Sequence, residues 1–420
     1  MNITTSKTLV LISSLWLFIY QPLTAAPNNL NQLIKIAVDN SPELKSRKLD
    51  WQSLIHKYKQ QTALDDPQLV YSEAISPIET RLGPQDRVLM LNQKLPFRGK
   101  LALKGEVVKK EIELARVGYD KASRDLTVAI KQSYYELVYL ENAIKLSLQN
   151  KQLLEKVSQL AAADYASSSS TLNDVAKAQS QYAQVSYDVQ LLEELRSTEK
   201  TQINTLLNRS PEFKFEVNSN VAVPAEFKHH IESLYKWAES NEEITLADIE
   251  IQKSDVQSRL SNYSSLPDFN LGASYSQIGK RDIADLPDNG KDGFAVSVGL
   301  NIPLNRSKNT AIKEQARLMN LKKIEDKKAL QNTLRNKVKL VYFKLNNSYR
   351  LIVLYKNNLI PQASRAIQVA ELQYTENNGS IASYLETQST WLNFQLAYQR
   401  GIADYWKNLA EMEKLTGKKL

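Results

Sequence analysis

Few residues in this chain have the types and spacing that catalysis or metal binding require. It has no cysteine, so disulfides, thiolate metal sites and cysteine nucleophiles are excluded. Its three histidines are His56 and the adjacent pair His229-His230. Neighbouring positions on a helix point about 100° apart, so the pair shares no face. There is no glycine-rich phosphate loop and no Ser/His/Asp order in a strand–turn–helix context. We therefore expect no enzyme, no cofactor and no metal site. The polar and aromatic groups that stand out lie around two short breaks between long helical stretches. Asp164 and Asp174 flank Ser167–Ser170; Tyr374, Glu376, Tyr384 and Glu386 flank Asn378-Gly379. Their chemistry is hydrogen bonding and charge. Asp174 falls in the first turn of a helix, where a carboxylate also favours the helix dipole. An ordinary solvated helix end would hold the same residue types.

The elements that position these groups are long. Leu101 to about Ala163 is almost free of Gly and Pro, and Leu126, Ile130, Ser133, Leu137, Leu140 and Ile144 step by four and three. That is a heptad seam. The same seam returns in Leu334, Val338, Val341, Leu345, Ser348 and Ile352, within a helix expected from about Thr310 to Gln373. Shorter helices are expected over Asn28–Ala63 (capped by Asn28 or Asn31, with a break near Pro42), Leu172–Leu207, Glu226–Ser264 and Ile381–Leu415. A helix of some 60 residues is about 90 Å long and two of some 36 are about 54 Å each. Laid end to end, a short pair matches one long helix.

Between the helices lie alternating stretches. Phe269, Leu271, Ala273 and Tyr275 alternate with polar or small residues, as do Phe294, Val296, Val298, Leu300 and Ile302. This predicts strands at about 269–277 and 294–302, joined by an exposed loop, Ile278–Gly293. Gln68–Ile75 and Arg87–Leu95 predict an earlier pair, at about 68–75 and 87–95, around a loop at Ser76–Asp86. Leu69, Tyr71 and Glu73 share a face there. Nine residues reach about 30 Å, enough to cross a bilayer core. The small residues Gly272, Ala295 and Gly299 leave the second face room for water. We expect Phe269, Leu271, Tyr275, Phe294, Val296, Val298 and Leu300 to face lipid, with Tyr71, Phe97, Phe269, Tyr275 and Phe294 as interfacial aromatics.

The plan occurs twice. Pro67 matches Pro267, Tyr134-Tyr135 matches Tyr342-Phe343, Tyr165 matches Tyr374, and Gln179 matches Gln388. The expected organisation is 1–25 signal peptide, 26–209 first repeat, 210–225 linker and 226–420 second repeat. The leader reading rests on Lys7, the apolar run Leu9–Tyr20 and small residues for cleavage after Ala25 or Ala26. The net charge of +8 over 420 residues reads as solvated helix faces of interleaved Lys and Glu, and an exported chain has no nucleic-acid partner. Four strands cannot close a barrel, and open edges are not tolerated in lipid. Two copies give eight strands and three give twelve; room for an open channel favours a homotrimer. Repeated three-fold, an inward carboxylate becomes a cation-favouring ring.

At this point the sequence resembles the outer membrane efflux proteins, the TolC-like outer membrane factors. The resemblance runs from Leu30 to Gly417. It rests on the duplicated helix–hairpin–long helix–helix plan, on Asn92-Gln93-Lys94-Leu95-Pro96-Phe97-Arg98-Gly99-Lys100, on Pro267-Asp268-Phe269, and on Tyr374-x4-Gly379-Ser380-x2-Ser383-Tyr384-Leu385. It implies a mainly α protein with a membrane β-barrel, twelve-stranded as a trimer and continued by an α-helical barrel. It also implies the outer membrane of a Gram-negative cell, with the helical tunnel in the periplasm. The function implied is the exit duct of a tripartite efflux system, with a periplasmic adaptor (membrane fusion) protein and an inner-membrane efflux pump as partners. Asp164, Asp174, Tyr374, Glu376, Tyr384 and Glu386 then lie at periplasmic tips that gate the entrance and meet the adaptor. The Pro-Phe-Arg-Gly-Lys segment is most similar to the heavy-metal branch, although many members of that branch carry a lipidated cysteine. Ser170 stands where the second repeat has Gly379. The alternative is a periplasmic coiled-coil adaptor or structural protein, which would need compact β domains around one helical hairpin.

Overall fold

Apolar seams decide where the helices lie. The computed structural model describes residues 29–420 except 168, 169, 284, 377 and 378; the proposed leader lies outside them. The first repeat comprises α1 (Leu30–Asn40), α2 (Pro42–Thr62), β1 (Gln68–Thr80), β2 (Gly83–Leu95), α3 (Lys100–Ala166) and α4 (Leu172–Leu206). The second comprises α5 (Ile231–Ala238), α6 (Glu242–Ser261), β3 (Phe269–Ile278), β4 (Gly293–Leu300), α7 (Arg306–Leu354), α8 (Ile360–Thr375) and α9 (Ile381–Thr416). A π turn, Tyr355–Leu359, joins α7 to α8.

Each repeat is a two-rope antiparallel coiled coil. All six expected seam residues of α7, from Leu334 to Ile352, are buried. On α3, Ile130, Leu137, Leu140 and Ile144 are buried. Near the strands α2 runs along α3, with Lys57 on Glu111 at 2.7 Å. Farther down α4 takes over, with Lys200 on Glu141 at 3.2 Å. The short helices meet end to end halfway. There Leu33 and Ala37 of α1, Ile203 of α4 and Leu207 just past its end bury against Ile130 and Leu137. In the second repeat the same junction is locked by Asn241, whose side-chain amide donates to Leu415 O at 3.1 Å. The repeats are tied sideways where Arg400 and Lys407 of α9 both donate to Glu136 of α3 at 2.7 Å.

Several expectations need correction. Asn29, not Asn28 or Asn31, caps α1, accepting from Asn31 N. Ser41 caps α2 with Pro42 in its first turn, so the break expected near Pro42 is present and separates two helices. Glu226–Ser264 is also two, because Asn241 starts a new cap. The stretch 76–86 is not a loop: β1 and β2 run on to a turn at Arg81-Leu82. Pro77 is accommodated where the register shifts between Glu73 and Ile78, a bulge that needs no ladder N–H there. The long helix of the second repeat starts earlier, at Arg306, because Asn305 caps it, and it is interrupted before Pro361, whose missing N–H cannot continue the α pattern. Strand β4 ends at Leu300 rather than residue 302, since Pro303 follows closely. The linker around 210–225 forms no strand; Phe215 packs into the α1–α3–α4 core.

The four strands form one antiparallel sheet in the order β1-β2-β3-β4, so β2–β3 pairing joins the repeats. A joint fixes the sheet to the ropes. The Asp268 carboxylate accepts from Phe97 N at 3.0 Å and from Lys100 Nζ at 2.9 Å. Its own N–H donates to the Asn301 side chain, and Asn301 N donates back to its carbonyl at 3.1 Å. Gly99 sits at φ +93°, and a Cβ there would lie 2.8 Å from the Tyr263 hydroxyl. Phe97 packs edge-on against Tyr263, 6.1 Å between ring centres, rather than in an interfacial girdle. Burial pushes the Asp268 carboxyl up, but Lys100 and the Phe97 N–H outweigh this and hold it below the usual range. Its stabilisation is therefore present above the unfolded value of 3.8 and is lost as pH falls through the folded one. Asp268→Ala, which strands Lys100, is expected to cost on the order of 3 kcal/mol. Thermal unfolding in detergent measures it; an unchanged midpoint would mean that sheet pairing alone holds the joint.

Candidate functional site

The first site is a face. In the ladder Phe269 stands opposite Leu300, Leu271 opposite Val298, Ala273 opposite Val296 and Tyr275 opposite Phe294. Directly paired residues share a face. The row continues through Leu95, Leu91 and Leu89 of β2 to Leu69 and Tyr71 of β1. All seven residues expected to face lipid are on this one face and exposed, Phe294 at 73% and Val298 at 69%. The opposite face carries Asn270, Gly272, Ser274, Ser297 and Gly299. An apolar sheet face this exposed, on a chain whose helices bury their seams, marks an interaction surface. Above it the row turns polar: Arg87 pairs with Glu73 at 3.3 Å, and the Tyr275 hydroxyl donates to Asp292.

The second site is the far end of the ropes. Leu154, Val157 and Ala161 of α3, Val175 and Ala178 of α4, Ala370 of α8, and Ile381, Tyr384 and Leu385 of α9 form one buried cluster. Both repeats therefore contribute to one tip. Four of the six expected residues come together there. Tyr374 donates its hydroxyl to Asp164 Oδ2 at 3.1 Å. Its ring lies nearly parallel to that of Tyr384, centres 6.1 Å apart. Burial, then the Asp164 hydrogen bond and the Asp164 and Asp174 charges, push the Tyr374 phenol up to about 12, so it remains a donor at ordinary pH. Tyr384 is only 4% exposed and is part of the core.

Asp174 has a local job. It closes a capping box with Thr171, whose hydroxyl donates to it at 2.7 Å and whose N–H donates at 3.2 Å. The Thr171 hydroxyl is the main reason its carboxyl lies below the usual range. Glu376, the C-cap of α8, and Glu386 are exposed, and neither carboxylate has a hydrogen bond or ion pair among the described residues.

One buried polar pair escaped sequence reading. Gln388 donates to Asn150 Oδ1 at 2.7 Å, both 3% exposed. Gln388 Oε1 has no protein partner, and the pair borders a cavity of about 350 Å³ between α3, α4 and α9. The signal was present, because Ser147 and Asn150 continue the α3 seam toward Leu154 as polar residues.

A four-stranded sheet, apolar and exposed on one face and continued by paired coiled-coil ropes, is an arrangement that comparison with known proteins finds again. The family model described as outer membrane efflux protein matches residues 234–418, the second repeat. Among solved structures, the outer membrane protein VceC of Vibrio cholerae is similar at a TM-score of 0.76 and 18% identity, covering 93% of this chain and 96% of that one. CusC is similar at 0.76 and 15%, covering 93% and 92%. The outer membrane channel CmeC of Campylobacter jejuni is similar at 0.75 and 14%, covering 99% and 94%. A search of curated proteins finds no match. The family match covers the second repeat, and the solved structures share the fold over nearly the whole chain.

Proposed function

We propose that this protein is the exit duct of a tripartite efflux system, a homotrimer whose barrel crosses the outer membrane and whose helices form a tunnel through the periplasm. The observation that carries this is the four-stranded sheet, apolar and exposed on one face, with β1 and β4 left as open edges. Open edges in lipid need partners, and another copy of the same sheet supplies them. Three copies make twelve strands and six two-rope coiled coils around a passage. Cargo arrives from an inner-membrane pump through a periplasmic adaptor that meets the tips. The adaptor-like alternative is disfavoured, since both helical hairpins attach to one shared membrane sheet and no compact β domain occurs among the described residues.

The tips serve as the gate, with Asp164, Tyr374 and Tyr384 tying the end of one repeat to the other. Asp174 supports them by starting α4 firmly. The Pro96–Lys100 segment works at the barrel joint and says nothing about cargo. Light scattering of the detergent-solubilised protein tests the assembly. A trimer is expected. A dimer would mean eight strands and a narrower tube, and a stable monomer would overturn the barrel.

A further inference from the structure

Cations outnumber carboxylates where the ropes leave the sheet, as they also do lower on α7 and α8, where residues 327–370 hold nine cations and no carboxylate. Between residues 94 and 110 there are six cations and one carboxylate, Glu106; between 303 and 317 there are four and one, Glu314. These two stretches carry +5 and +3, and of the cation-rich stretches they alone adjoin the sheet. The matching stretches at the ends of α2 and α6 are neutral. The apolar band runs directly into this collar, since Leu300, Ile302 and Leu304 are exposed and Arg306 and Lys308 follow. Arg98, Arg306 and Lys308 are exposed and have no carboxylate partner among the described residues.

A local rule is also broken here. Helix starts favour carboxylates, and α2, α4 and α6 begin with Glu43, Asp174, and Glu242 with Glu243. The first turns of α3 and α7 have none; that of α3 holds Lys100, already paired with Asp268, and that of α7 holds Arg306 and Lys308, without a carboxylate partner among the described residues. Local preferences are broken where something outside the fold compensates.

Resting on the membrane reading above, we infer that this collar binds the anionic phospholipid headgroups of the periplasmic leaflet. The apolar band fixes its depth. Cations directly below such a band meet phosphates, and headgroup charge offsets the cost of Arg306 and Lys308 at the start of α7. Lipid A phosphates lie at the other end of the strands and do not reach it.

The test uses the full-length protein in mild non-ionic detergent, with native mass spectrometry counting retained phosphatidylglycerol against phosphatidylcholine. A cation at an anionic surface contributes about fivefold to attachment. Wild type is expected to prefer phosphatidylglycerol by at least about tenfold, and the preference should vanish in high salt. Arg98→Gln with Arg306→Gln and Lys308→Gln should remove it, whereas Lys322→Gln with Lys328→Gln, lower on α7, should not. Equal retention of the two lipids by wild type, or an unchanged preference in the triple variant, overturns the collar. Reconstitution separates the two readings. Protein that enters neither phosphatidylcholine nor mixed vesicles overturns the membrane assignment; protein that enters both without lipid preference overturns the collar alone.

Discussion

Val298→Arg is expected to abolish assembly in the outer membrane, and Ser297→Arg, one residue away, to leave it largely intact. Val298 lies within the exposed apolar row, paired with Leu271 on β3. An arginine near the midplane of a lipid face costs roughly 2–4 kcal/mol. Three copies bring this to about 6–12 kcal/mol, comparable with the whole stability of a folded domain. Ser297 pairs with Gly272 on the opposite face. There a long cation reaches lumen water and extends past neighbours without large side chains. Heat-resistant oligomer recovered from outer-membrane fractions measures both variants. Equal losses would mean that the two faces have been assigned the wrong way round or that neither meets lipid.

The second large effect concerns the tips. Sequence spacing named six residues around the tips, and of these the structure gives the bridging contact to Asp164 and Tyr374. Asp174 is engaged in its own helix cap and Tyr384 in the core. Asp164→Ala with Tyr374→Phe removes the hydrogen bond and keeps the ring stack. One such bond is worth about 1 kcal/mol, or about fivefold in a closed-to-open ratio. Three coupled copies multiply this to about a hundredfold. We expect higher single-channel conductance in planar bilayers and cells sensitised to large antibiotics, with trimers intact. Asp174→Asn is expected to lower cation selectivity slightly while leaving conductance near wild type. Unchanged conductance in the double variant would move the gate away from this contact.

Period was legible in the sequence; partner choice was not. The α7 seam could be named residue by residue because heptad spacing alone puts Leu334 through Ile352 on one side. The β3–β4 alternation likewise named the exposed face. The first hairpin was harder because Pro77 and Pro84 read as loop, whereas a bulge and the turn end accommodate them. The Asp268 joint was visible only as two short patterns far apart in the chain. Nothing local says that the Asp of one meets the Lys of the other. The tip failed for the same reason. Tyr374 and Asp164 are 210 positions apart and belong to different repeats.

The π turn at Tyr355–Leu359 also marks a difference in length between the two repeats. The six seam residues of α3, from Leu126 to Ile144, and the six of α7, from Leu334 to Ile352, correspond at a constant spacing of 208. Beyond the turn, Leu154 corresponds to Ala363, Ala161 to Ala370 and Tyr165 to Tyr374, all at 209. A π turn accommodates one extra residue within an α-helix. The two counts differ by one, and the turn lies between them. The second repeat thus holds one residue more than the first between these positions. The helix absorbs it as a local bulge, so Leu154 and Ala363, and Ala161 and Ala370, are buried at matching positions below it. Removing one residue from 355–359 restores the spacing of the first repeat, and the shortened chain is expected to assemble as wild type does.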